Sequence, residues 1–76
     1  MHLGWNGELK KYGILNNADL WVLQGLHDGD KLHVKIDGAW VDTIIRFDGD
    51  EWYLTSTELR GNQLEGLEVN IRYKFL

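Results

Sequence analysis

The chain has 76 residues, nine glycines, no proline and no cysteine, and its formal charge is −4. A domain of about this length buries only roughly 60–65% of its unfolded surface, and without cysteine neither a disulfide nor a thiolate zinc site can reinforce it. Dense aromatic packing is the remaining means of stabilisation. Four Trp, three Tyr and two Phe supply it, because large rings bury much area per residue.

The eight Lys and Arg residues are scattered along the chain, whereas a duplex-binding protein gathers positive charge into a patch or stripe. Nucleic acid is therefore a disfavoured partner. The opening segment "MHLGWNGELKKYG" has no apolar h-region or small-residue cleavage site, and no run reaches membrane-spanning length. The expectation is one domain over 1–76, in the cytoplasm, with no membrane partner.

Taken in chain order, "WNG", "KKYG", "LNNAD", "HDGD", "IDGA", "FDGD", "RGN" and "LEG" punctuate the sequence at intervals of about ten residues. Regular Gly, Asn and Asp between short β-branched and aromatic runs predict an all-β sandwich or barrel. Strands are expected near 5–9, 11–15, 20–24, 31–36, 39–47 and 51–55. A last strand has Leu67, Val69, Ile71, Tyr73 and Phe75 on its buried face. The segment 56–66, "STELRGNQLEG", reads as a long loop or as holding one helical turn near 56–64, with Ser56 or Thr57 as its N-cap.

Asp37-Gly38 is the strongest hairpin signal, since a type I′ turn needs positive φ at both central residues. A two-residue loop there sets Ile36 opposite Ala39, Lys35 opposite Trp40 and Val34 opposite Val41, and opposed residues share a face. One face is then Leu32, Val34, Ile36, Val41, Thr43, Ile45 and Phe47, the predicted core. The other carries Lys31, His33, Lys35, Trp40, Asp42, Ile44 and Arg46. A two-residue loop at Asp48-Gly49 or Gly49-Asp50 sends Trp52 and Leu54 inward and Tyr53 outward. The outward set Trp40, Ile44 and Tyr53, among Lys35, Arg46 and His33, is greasier than a solvated face needs. Either the N-terminal strands or 56–66 fold over it as a second barrel layer, or a partner covers it, aromatics and Arg being enriched at interfaces.

Catalytic and metal chemistry finds little support. His2, His27 and His33 are too scattered for a ligand set. "HDGD" and "DGDE" lack the spacing of a calcium loop and read as turns in which Asp bonds its own backbone. Ser56 with a distant histidine is no triad signal, and no glycine pattern leads into a long helix to cradle phosphate. A chain this short is also expected to lack a substrate pocket of ordinary size. No catalytic residue, metal or cofactor is assigned, and the protein is expected not to be an enzyme.

The stretches "GLHDGDKLHV" (25–34), "DGAWVDTIIRFDGDEWYL" (37–54) and "LEGLEVNIR" (64–72) resemble an uncharacterised family of short proteins. That family occurs in low-GC Gram-positive bacteria and on their plasmids, conjugative elements and phages. The matching positions are Gly29, Gly38, Trp40, Arg46, Tyr53, Leu54, Gly66, Leu67, Val69, Ile71 and Arg72. The resemblance implies a small SH3-like barrel of five to seven short antiparallel strands and brings no activity with it; 1–24 match it poorly.

Together these readings make the first expectation a protein-binding module of a phage or mobile element. Such a module would occlude a host or phage protein, for example a bacterial defence nuclease, through Trp40, Ile44, Tyr53, Arg46, Lys35 and His33. Acidic charge would suit a basic channel in such a partner. A homodimeric accessory domain comes next, and a barrel stacking single-stranded nucleic acid on Trp40 and Tyr53 comes last.

Overall fold

A computed structural model describes residues 1–70. The Asp37-Gly38 turn nucleates its longest hairpin. Asp37 has φ 51° and Gly38 φ 83°, the left-handed pair that matches the right-handed twist of the strands it joins. β4 (Lys31–Ile36) and β5 (Ala39–Phe47) pair antiparallel from Ile36 opposite Ala39 to Lys31 opposite Ile44, the register expected from the sequence.

β5 then pairs with β6 (Trp52–Leu54), with Phe47 opposite Trp52, Arg46 opposite Tyr53 and Ile45 opposite Leu54. That register follows from the Gly49-Asp50 alternative. Asp48 builds the reversal: its Oδ1 accepts from the backbone N–H of Asp50 and of Glu51, both at 2.9 Å, while its own N–H donates to the Glu51 carbonyl at 3.2 Å. "HDGD" is a turn of the same kind, with Asp30 Oδ2 accepting from the His27 N–H at 2.8 Å. Both acidic clusters thus satisfy backbone donors.

The N-terminal sheet is β1 (His2–Asn6), β2 (Lys11–Leu15) and β3 (Trp21–Leu23), in that order. The first strand lies earlier than the expected 5–9. Asn6 ends it: its Oδ1 accepts from the N–H of Glu8 at 3.1 Å and of Leu9 at 3.4 Å, and Lys10 takes a positive φ of 54°. An apolar Leu9 that looked like strand is therefore an exposed turn residue. A second Asx-type turn at Asn16, whose Oδ1 accepts from Ala18 and Leu20, leads into β3.

The second sheet runs β6-β5-β4-β7, where β7 is Val69–Asn70. The β7 segment joins the two sheets. Lys35 N–H donates to the Glu68 carbonyl on one side, and Leu3 N–H to Leu67, Gly66 N–H to Leu3 and Val69 N–H to Met1 on the other, at 2.8–2.9 Å. The described chain is all-β: seven short antiparallel strands in two sheets joined edge to edge, a layout that fits a small SH3-like barrel. Ile71, Tyr73 and Phe75 of the expected last strand lie outside the described residues.

Leu3, Tyr12, Ile14, Leu26, Leu32, Val34, Ile45, Trp52, Leu54, Leu64 and Val69 form the buried core. The inward parity of β4, β5 and β6 therefore stands, with Ile36 and Val41 at its margin and Thr43 buried while its Oγ1 accepts from the Ser56 N–H at 3.0 Å. Phe47 is the correction. It points to the core side but lies at the end of β5, beyond the last core layer, and is 44% exposed. The helical turn is a 3₁₀ turn at Gly61–Leu64, capped by Arg60 rather than by Ser56 or Thr57. Gln63 Oε1 accepts from the Arg60 N–H at 3.1 Å.

Candidate functional site

Two aromatic surfaces lie on opposite faces of the β4–β5–β6 sheet. The outer one holds the residues singled out from the sequence. Trp40 is 42% exposed and sits opposite Lys35, whose ammonium lies 5.9 Å from the ring centroid. The His33 ring is tilted against the same indole at 5.3 Å, and its Nε2 lies 3.4 Å from Asp42 Oδ1. Arg46 Nε pairs with Asp28 Oδ1 at 3.2 Å. Ile44 and Tyr53 are half-buried.

Tyr53 owes its cover to Arg60, whose guanidinium carbon is 5.0 Å from the ring centroid. That guanidinium also bonds Glu51 Oε1 at 2.8 Å and pairs with Asp48. The outer face is thus divided. The 56–66 segment reaches over its Tyr53 end through Arg60, and the Trp40 end stays open. Cover by the 56–66 segment therefore holds for the Tyr53 end alone, and Trp40 is left exposed.

The inner side carries a site that parity reasoning missed. Where the core ends, an open cleft of about 570 Å³ is lined by Trp5, Tyr12, Phe47 and Trp52, with Lys10, Asp50, Glu51, Gly61, Asn62 and Glu65 around them. This corrects the expectation that so short a chain lacks a pocket of ordinary size, which is a few hundred Å³ or more. The four rings form two cross-strand pairs, one from each sheet. Trp5 faces Tyr12 across β1–β2, edge-on at 5.1 Å, and Phe47 faces Trp52 across β5–β6 at 4.9 Å. Tyr12 and Trp52 form the floor, 4% and 7% exposed, whereas Trp5 and Phe47 stand out at 46% and 44%.

Hydrogen bonds fix the floor. Tyr12 OH donates to the Gly61 carbonyl at 2.9 Å, and Trp52 Nε1 donates to the Lys10 carbonyl at 3.2 Å. Burial, with the nearby Glu65 carboxylate second, pushes the Tyr12 phenol above its ordinary pKa. Glu65 Oε1 accepts from the Trp5 backbone N–H at 3.0 Å, which holds the 3₁₀ wall against β1. At the hairpin tip the N–H groups of Glu51 and Asp50, and after them Arg60, hold the Asp48 carboxyl below its usual range.

A signal for this cleft did exist in the sequence: Phe47 and Trp52 flank "DGDE", and Trp5 and Tyr12 flank the "NG" and "KK" turn. An aromatic pair bracketing each reversal places four rings at strand ends. Among the described residues no three His, Asp or Glu side chains gather so as to hold a metal, and no helix is long and apolar enough to cross a membrane.

Neither a curated protein nor a solved structure matches the chain. Residues 1–71 match the family described as Domain of unknown function (DUF5348), and the chain belongs to that family.

Proposed function

We propose that this protein is a non-enzymatic protein-binding module that docks its partner in the Trp5–Tyr12–Phe47–Trp52 cleft. The supporting observation is the arrangement of those rings: two are locked in the floor by hydrogen bonds and two stand half-exposed above them. Rigid aromatic anchors beside open apolar surface are where interfaces concentrate their energy. The net charge of −4 favours a basic partner. With the resemblance to Gram-positive mobile-element proteins, this supports a cytoplasmic accessory role on a host or phage protein, such as occlusion of the basic channel of a defence nuclease.

A second reading rests on the open Trp40 end of the outer face, where Lys35 and His33 flank an exposed indole. That surface suits a second protein contact or a stacked single-stranded base. One comparison separates the two faces: capture from bacterial lysate with wild type, with Trp5→Ser/Phe47→Ser and with Trp40→Ser. Loss of the partner in the cleft variant alone is expected. Loss in the Trp40 variant alone would move docking to the outer face.

A further inference from the structure

We infer that the cleft takes an extended peptide segment bearing an arginine or lysine side chain, its backbone in the polyproline II conformation; this rests on the protein-binding reading above. Two independent features lead there. The first concerns the backbone around the cleft. β1 is bonded to β2 on one side and to the β7 segment on the other. β5 lies between β4 and β6. The free side of β6 is closed by the Tyr53–Arg60 bridge and by Leu54 N–H donating to the Leu59 carbonyl at 3.2 Å.

Among the described residues, the strand segments beside the cleft therefore offer no open edge for adding a strand from a partner. Recognition falls to side chains: ring faces, the indole N–H of Trp5 and the carboxamide of Asn62. A ligand met only by side chains is best served by a conformation that leaves its own amides solvated and is already stiff before binding. Polyproline II has both properties.

The second feature is charge. Three carboxylates line the cleft, Asp50, Glu51 and Glu65, against one cation, Lys10. Glu51 is shared with Arg60. Glu65 holds a backbone N–H through one oxygen. Asp50 has no ion-pair partner among the described residues, and it stands at the hairpin tip next to the half-exposed Phe47. A cationic side chain entering between Phe47 and the Asp50 and Glu65 carboxylates would meet ring faces and charge together, an environment that suits guanidinium.

The probe is a capped synthetic peptide with one arginine between proline pairs, titrated into isotopically labelled protein and read from the four Trp indole N–H resonances. Movement at Trp5 and Trp52 is expected, with Trp21 and Trp40 still. Replacing the peptide's arginine with glutamate should weaken binding roughly tenfold or more, and Asp50→Asn and Glu65→Gln should each weaken it roughly fivefold. Glycines in place of the prolines should also weaken it. Equal binding of the glutamate peptide, or shifts centred on Trp40, would overturn the inference. So would the absence of binding while Trp5→Ser/Phe47→Ser still loses its lysate partner; in that case the docking site stands and only the ligand class falls. If the peptide does not bind and that variant keeps its partner, the docking site falls as well.

Discussion

The indole N–H of Trp52, on the second sheet, donates to the backbone carbonyl of Lys10, in the β1–β2 turn, at 3.2 Å. This side-chain bond ties one sheet to the other at the cleft floor, below the half-exposed Phe47 and Trp5. Trp52→Phe keeps most of the apolar area and removes the donor. It should cost about 1–2 kcal/mol, a neutral hydrogen bond plus lost ring contact. Urea denaturation should show a lower midpoint with an unchanged slope.

Ile45 is fully buried on the core face of β5, opposite Leu54. Ile45→Asp places a carboxylate there with no cationic partner in the surrounding apolar cluster, an effect large enough to exceed the whole stability of a domain this small. The variant should lack a cooperative thermal transition. Ile45→Val, which removes one methylene group, should remain folded and lose about 0.5–1.5 kcal/mol.

Those faces were legible because Asp37-Gly38 admits essentially one two-residue hairpin, and alternation then carries the parity through Val41, Thr43 and Ile45 without further information. Phe47 shows where the argument ends. Parity says which way a side chain points and nothing about whether the core extends that far along the strand. The end of β1 was hidden for a different reason. The Asn6 side chain, by accepting from Glu8 and Leu9, outweighs an apolar alternation that reads as strand. The cleft was least legible, because Trp5, Tyr12, Phe47 and Trp52 meet only once the β7 segment has joined the two sheets, a pairing across more than sixty positions of chain that no local pattern encodes.

Gly13, buried in the middle of β2, is a test of that packing. A Cβ added there would lie 2.5 Å from the Leu23 carbonyl oxygen, 2.6 Å from that of Gln24 and 2.7 Å from the Trp21 ring. Two of these neighbours are backbone and cannot turn aside. Gly13→Ala should therefore destabilise by about 1–3 kcal/mol despite the better intrinsic propensity of alanine. Ordinarily such a change is neutral or favourable where the backbone permits it, so a variant as stable as wild type would show that β3 sits farther from β2.

Tyr12 makes stability depend on alkaline pH. Its folded pKa is raised, by burial first and by Glu65 second, so the contribution is whole below the unfolded value of about 10 and is lost as pH climbs through the folded value. Ionisation also removes the proton that the phenol donates to the Gly61 carbonyl. Tyr12→Phe should lower stability at neutral pH by about 0.5–1.5 kcal/mol and flatten the decline above pH ~10. Denaturation midpoints of both proteins across that range check the two effects together.

Asp48 gives the acid counterpart, with the opposite sign. Its folded pKa is depressed, so what it contributes is present above the unfolded value of about 3.9 and disappears as pH falls through the folded one. The backbone N–H groups of Glu51 and Asp50 come first among the causes and the Arg60 guanidinium follows. Arg60→Gln should therefore raise the Asp48 pKa only part of the way to its ordinary value, while also uncovering the Tyr53 ring. Side-chain carboxyl shifts of Asp48, followed with the amide shifts of Asp50 and Glu51 through the titration, measure this directly. Complete return of Asp48 to an ordinary carboxylate in that variant would mean that the guanidinium, rather than the two amides, holds the hairpin tip beside the cleft.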